Sequence, residues 1–203
     1  MNDKISNLSE LLAVAGDRTV AVVRGITDEQ LAAATPCGEY DVDALVGHLL
    51  QVVENFQELA RKRDADFGTA PERLTGEWRD RFAAETVRLV AAWAAPDAEE
   101  GMSGAMGLPA RTVGAMALGD LTVHGWDLAR ATGQPYEPDA AVVAAVGAEF
   151  AALAPMARSM GVFGEPVAVA EGAGPFAELL GLTGRDPRWT RPETSSSTAA
   201  AGT

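Results

Sequence analysis

Between Asp41 and Arg61 the apolar residues Val42, Leu45, Leu49, Val52, Phe56 and Leu59 recur at alternating intervals of three and four. That period lays one apolar stripe along an α-helix and does not fit a strand. Comparable helical spacing recurs along the chain. Leu8 to about Arg24 is rich in Ala, Leu and Val, and a third segment from about Pro71 to Trp93 carries Leu74, Trp78, Phe82, Glu85 and Leu89 in a less regular stripe. A fourth runs from Pro109, which suits a first helical turn, to Ala131, with Gly133 as its stop. Only VAVA at 167–170 reads as a strand, and it is short. Four long helices with no sheet to cover them must bury their stripes on one another, which predicts an all-α helical bundle.

Shorter pieces fill the gaps. Thr27 heads TDEQLAAA, a capping-box pattern that predicts a short helix. Pro36 and Gly38 interrupt the chain before Asp41, which is a good N-cap for the helix from Val42 to about Arg61. Residues 97–108 are Gly-rich and read as a connecting loop. A fifth helix is expected from near Pro138 to before Pro155, and a short one at Pro175–Leu182. Residues 1–190 therefore read as one domain with a small C-terminal extension, and 191–203 have the composition of a disordered tail.

The balance of 29 acidic against 16 basic residues gives a net charge of −13. Such a surface repels nucleic-acid phosphates and anionic lipid, so neither nucleic acid nor membrane is an expected partner. The N-terminus lacks the apolar core of a signal peptide, and no apolar run is expected to reach the ~20 residues of a membrane span. Cys37 is the single cysteine, which rules out an intrachain disulfide and a thiolate-rich zinc site. A cytoplasmic protein, monomeric or homodimeric, is the expectation.

The chain has two histidines. His124 lies four residues after Asp120 in GDLTVHGWDLARATGQ, so the two are about 40° and one turn apart on the fourth helix. Both His124 and His48 fall roughly 60° from the centre of their helix's apolar stripe, at the border of the core. Should the two helices pack side by side, His48, Asp120 and His124 converge. Two imidazoles and a carboxylate are a ligand set of catalytic zinc and of non-haem iron, and they leave a coordination position open. A histidine at a core margin is more often a hydrogen-bonded structural residue, and Asp120–His124 alone is also an ordinary helix pair.

Other residues carry weaker signals. Asp127 suits an outer hydrogen bond that orients a ligand histidine, or a pair with Arg130. Gln51, one turn from His48, is a candidate to reach a metal-bound water, or a solvated rim residue. Trp126 points away from Asp120 and is expected to pack. Cys37 has acidic neighbours, Glu39, Asp41 and Asp43, which disfavour a thiolate, so it reads as a small buried residue. Arg185 in GRDPRW reads first as part of a C-terminal anchor with Trp189, and second as a guard of the site or a partner for an anionic substrate group.

Three stretches, TPCGEYDVDALVGHLL, GDLTVHGWDLARATGQ and GRDPRW, together resemble an actinobacterial metal-binding family. That family is related to the N-terminal domain of mycothiol-dependent maleylpyruvate isomerase and to the DinB-like four-helix-bundle superfamily. The resemblance implies a DinB-like bundle with neighbouring second and fourth helices joined by a long crossover. It implies a divalent metal, zinc first with nickel, iron and manganese as alternatives, on His48, Asp120 and His124. The isomerase pattern has Glu where this chain has Asp120. It also has a separate C-terminal domain for which Pro135 to Trp189 is too short, which argues against maleylpyruvate as the substrate.

The ligand set and the resemblance together imply three candidate functions, with mycothiol coming from the resemblance alone. The first is a mycothiol-dependent S-transferase or isomerase, in which the metal activates the thiol toward a small electrophilic substrate. The second is a hydrolase using metal-bound water, and the third a non-catalytic metal-holding module that binds a ligand.

Overall fold

The computed structural model describes residues 7–70, 73–104 and 107–192. Its helices are α1 (Leu8–Gly25), α2 (Val42–Ala60), α3 (Trp78–Trp93), α4 (Ala110–Thr132), α5 (Ala140–Ser159) and α6 (Pro175–Leu182), with a 3₁₀ turn at Asp28–Gln30. α1 and α2 each pack against both α3 and α4, so α1 and α2 face each other across one diagonal of a four-helix bundle. α2 and α4 are therefore neighbours. α5 lies against α4, and α6 against α5.

The stripe of α2 enters the core whole: Val42, Leu45, Leu49, Val52, Phe56 and Leu59 are all buried. They meet Leu12 and Val23 of α1, Phe82 and Leu89 of α3, and Leu118, Leu121 and Leu128 of α4 in one apolar cluster. A polar tie crosses it, where the buried Thr19 hydroxyl reaches the Leu121 carbonyl at 2.8 Å. At the start of α2 the Asp41 carboxylate accepts from the Ala44 N–H at 2.9 Å, satisfying one of the free donors of the first turn.

Several boundaries differ from the sequence expectation. Of the expected start of α3, Pro71 lies outside the described residues and 73–77 are not helical; Gly76, at φ 62°, breaks the path before Trp78. The Thr27 capping box forms, but it opens only the 3₁₀ turn. α5 runs through Pro155 to Ser159, because Pro155 and Ala151 face solvent, where a carbonyl without its helical partner is open to water. The 97–108 loop holds two short antiparallel strands, β1 (Met102–Ser103) and β2 (Leu108–Pro109). VAVA forms no strand; Val167 N–H instead donates to the Gly181 carbonyl at 2.9 Å and binds this segment to α6. The tail beyond Pro192 lies outside the described residues.

α5 departs from the expectation that no apolar run approaches the length of a membrane span. It is 20 residues long, and an 18-residue window of it has a mean hydropathy of 1.8, a length and composition that membrane spans and the core helices of bundles share. Its apolarity is largely alanine, which is why no conspicuous run of large residues marks it. Val142, Val146, Phe150 and Ala154 pack it onto the bundle.

Candidate metal centre

α2 and α4 bring His48, Asp120 and His124 to one place. One ligand atom from each lies within 4.8 Å of the other two. The imidazoles meet edge-on, with centroids 5.2 Å apart and planes at 86°. His124 Nε2 is 3.9 Å from Asp120 Oδ1. Both donors of α4 thus face the histidine of α2, as the one-turn spacing requires.

His124 is deeper than the border position its helical angle suggests, at 7% exposure. α4 is buried on nearly every side, since the bundle covers one face while α5 and the closing segment cover the other. The His124 ring is gripped from behind: Nδ1 lies 2.9 Å from Oδ2 of Asp127, a side chain with no solvent exposure. With an ionised carboxylate as acceptor, Nδ1 carries the proton and Nε2 turns its lone pair toward His48 and Asp120.

Asp127 does not pair with Arg130, which donates instead to the Trp189 carbonyl at 2.5 Å. The counter-charge comes from Arg185, whose Nη2 lies 3.3 Å from the same Oδ2. Gln51 turns elsewhere. Its amide donates to the Thr69 carbonyl at 2.7 Å and lines a cleft of about 200 Å³ with Asn55, Arg73 and Trp78, apart from the two histidines. Trp126 is buried with the Arg130 guanidinium 6.0 Å from its ring centre.

Sequence reasoning missed how the turn before α2 joins the site. Thr35 Oγ1 lies 2.9 Å from the Cys37 carbonyl and 2.7 Å from the Tyr40 carbonyl, and Ala34 pairs with Asp41 in an antiparallel bridge. This closed turn lays the Tyr40 ring on His48, with centroids 5.3 Å apart and planes at 15°. It also brings Cys37 Sγ within 4.8 Å of ligand atoms of His124 and Asp127, a second grouping around the same imidazole. T-P-C followed by Tyr40 was the available signal, but nothing in the pattern says where a turn points.

The local electrostatics follow from burial. His48 is pushed down to about 4, chiefly by desolvation, with the Arg185 charge adding to it. Burial raises Asp120 to about 6, opposed by the Arg185 charge. Burial also raises the Cys37 thiol, with Arg185 pulling the other way, so Cys37 is held as a thiol. The pocket therefore favours a neutral His48, with the lone pair of one ring nitrogen free to bind.

The sequence model of the mycothiol maleylpyruvate isomerase N-terminal domain matches residues 12–129. The chain belongs to this family. The matched span holds His48, Asp120, His124 and Asp127, together with Cys37 and Tyr40, and the bundle is the DinB-like all-α fold of the family. Comparison with curated proteins and with solved structures yields no match.

The donor set fits a divalent ion: two imidazoles and one carboxylate within reach of one point, and one ring already fixed by an outer carboxylate.

Proposed function

We propose that this chain holds a divalent metal, zinc first, on His48, Asp120 and His124, and acts as a thiol-using S-transferase or isomerase. The family supplies the thiol class, since its name specifies mycothiol. The observation that carries the reading is the convergence of three ligand atoms within 4.8 Å from two helices, backed by the Asp127 grip on His124. A zinc ion on three protein ligands supplies Lewis acidity that makes a bound thiol ionise near neutral pH.

The chain's residues divide the remaining work. His48 and His124 present neutral nitrogens, and Asp120 supplies the one negative charge, so a dication keeps a net positive charge that favours an anionic sulfur. Tyr40 holds the His48 ring by stacking, and Asp127 holds His124 by its Nδ1 proton. His124 and Asp127 are buried, which strengthens the electrostatic contact between them, while His48 and Asp120 stay partly open to an incoming ligand.

Elemental analysis of the wild type beside His48→Ala and His124→Ala tests the reading. One divalent metal per wild-type chain and its loss from both variants, with helical content kept, is the expected result. Metal retained in either variant overturns the assignment, as does a wild type that takes up no zinc when it is supplied.

A further inference from the structure

We propose that Arg185 is a positioning residue for the ligand histidine His124, acting through Asp127 from the closing segment of the chain. The inference rests on the metal reading of His48, Asp120 and His124. Arg185 is 58 residues from Asp127 in sequence and lies beyond the span that matches the family.

The closing segment is shaped to deliver it. Gly184 has φ 87°, and a Cβ there would sit 2.8 Å from the Gly164 Cα, so the two backbones touch and no side chain fits between them. This contact turns the chain sharply at the end of α6. Arg185 N–H then donates to the Leu180 carbonyl at 2.8 Å, and Nη1 to the Thr183 carbonyl at 2.8 Å, which locks the guanidinium from its own side. Nη2 points to Asp127, with Arg185 only 8% exposed and its Nε buried without a partner among the described residues.

Both His124 and Arg185 converge on a single oxygen, Oδ2, while Asp127 Oδ1 is buried without a protein partner among the described residues. An Asp–Arg pair kept only for packing gains by engaging both oxygens, as bidentate pairs do. Here the carboxylate is shared between the ring and the guanidinium at one atom. A shift of the guanidinium therefore alters the acceptor that fixes His124.

Anchoring the segment does not need this residue. Arg130 holds the Trp189 carbonyl at 2.5 Å, and Arg158 holds the Leu182 carbonyl at 2.8 Å. Arg130→Gln is thus the matched control, since it loosens the same segment without touching Asp127.

The test compares Arg185→Gln, Arg185→Lys and Arg130→Gln with the wild type in the full chain. It records the ¹⁵N signals of the His124 ring in metal-free protein, zinc affinity by chelator competition, and the thermal midpoint. Arg185→Gln is expected to move His124 from the Nδ1–H tautomer toward a mixture and to weaken zinc binding by about tenfold to a hundredfold, the range typical of an outer-sphere partner. Arg185→Lys keeps the charge without the planar fork and is expected to lie between. Arg130→Gln is expected to lower the midpoint while leaving the ring signals and zinc affinity at wild-type values. Wild-type ring signals in Arg185→Gln overturn the proposal, as does an equal loss of zinc affinity in Arg130→Gln. If Arg185→Gln does not fold, wild-type ring signals in Arg185→Lys overturn it. A wild type that binds no zinc overturns the metal reading, and the ring signals still report whether Arg185 sets the tautomer.

Discussion

His124 and Asp127, one turn apart on α4, are joined through Nδ1 and Oδ2 at 2.9 Å inside a region closed to solvent. The bond leaves the opposite nitrogen free and aimed at Asp120 and His48. An outer carboxylate of this kind fixes ring orientation and raises the basicity of the ligand nitrogen.

Asp127→Asn puts that relationship to a direct test. The amide removes the negative charge facing Arg185 and can offer a donor to Nδ1, which favours the wrong tautomer. Zinc affinity is expected to fall about tenfold to a hundredfold by chelator competition. Stability is expected to fall by about 3–5 kcal/mol in denaturant unfolding, because Arg185 is left buried without its counter-charge. Unchanged zinc affinity would show that the bond serves packing alone.

Asp120 is separable from Asp127 by length. Asp120→Glu adds one methylene and gives the residue found in the related isomerase pattern, so it is expected to retain zinc within about tenfold of wild type, as a conservative ligand change does. Asp120→Ala is expected to lose more than about a hundredfold, beyond the usual cost of an outer-sphere change. Equal affinities for the two variants would remove Asp120 from the ligand set.

The pH behaviour of the metal-free protein follows from His48 and Asp120, with opposite signs. The His48 pKa falls from 6.5 to about 4 on folding, so between those values the unfolded chain binds the extra proton. Its contribution to stability is complete above 6.5 and is lost as the pH falls through that window. Asp120 rises from 3.8 to about 6, so its neutral form is favoured in the fold and its contribution is lost as the pH rises through that range. His48→Gln is expected to flatten the fall in stability between pH 6.5 and 4. The His48 ring proton, followed by NMR, is expected to titrate near 4, and a midpoint above 6 would contradict the burial assigned to it.

How far the sequence speaks depends on the range of the interaction. The α2 stripe and the Asp120–His124 turn are local periodicities, and they place the bundle and one half of the site. The burial of His124 is not local: α4 is apolar on both faces, and one sequence cannot say that α5 will cover the second. The Tyr40 stack depends on the closed turn at 34–41, and the Asp127–Arg185 contact on a backbone approach between Gly164 and Gly184. Both arise from tertiary packing, which leaves no period in the sequence. Pro155 was misleading for a related reason, since its tolerance in α5 comes from solvent on that face.

Tyr40 separates stacking from hydroxyl chemistry. Its ring lies nearly parallel to His48 at 5.3 Å, an aromatic contact worth about 0.5–1.5 kcal/mol. Tyr40→Phe keeps the ring and is expected to bind zinc as the wild type does. Tyr40→Ala is expected to lose zinc affinity severalfold, up to about tenfold by the same stacking energy. A loss in Tyr40→Phe as large as in Tyr40→Ala would move the role from the ring to the hydroxyl.

The thiol reading makes its own demand on the open coordination position. Cobalt(II) accepts the same tetrahedral nitrogen and oxygen donors as zinc and reports a sulfur ligand by a thiolate-to-metal charge-transfer band in the near ultraviolet. Cobalt-loaded protein is expected to gain such a band on addition of mycothiol, at a pH well below the ordinary thiol range, because the ion stabilises the thiolate. Cys37 is the chain's only sulfur that could imitate the signal, and burial holds it as a thiol. The experiment is therefore run in Cys37→Ala as well, where the band is expected to persist. A band that vanishes with Cys37 would transfer the sulfur chemistry to the protein itself. No band in either protein would remove thiol activation and leave the bound ion to act on water.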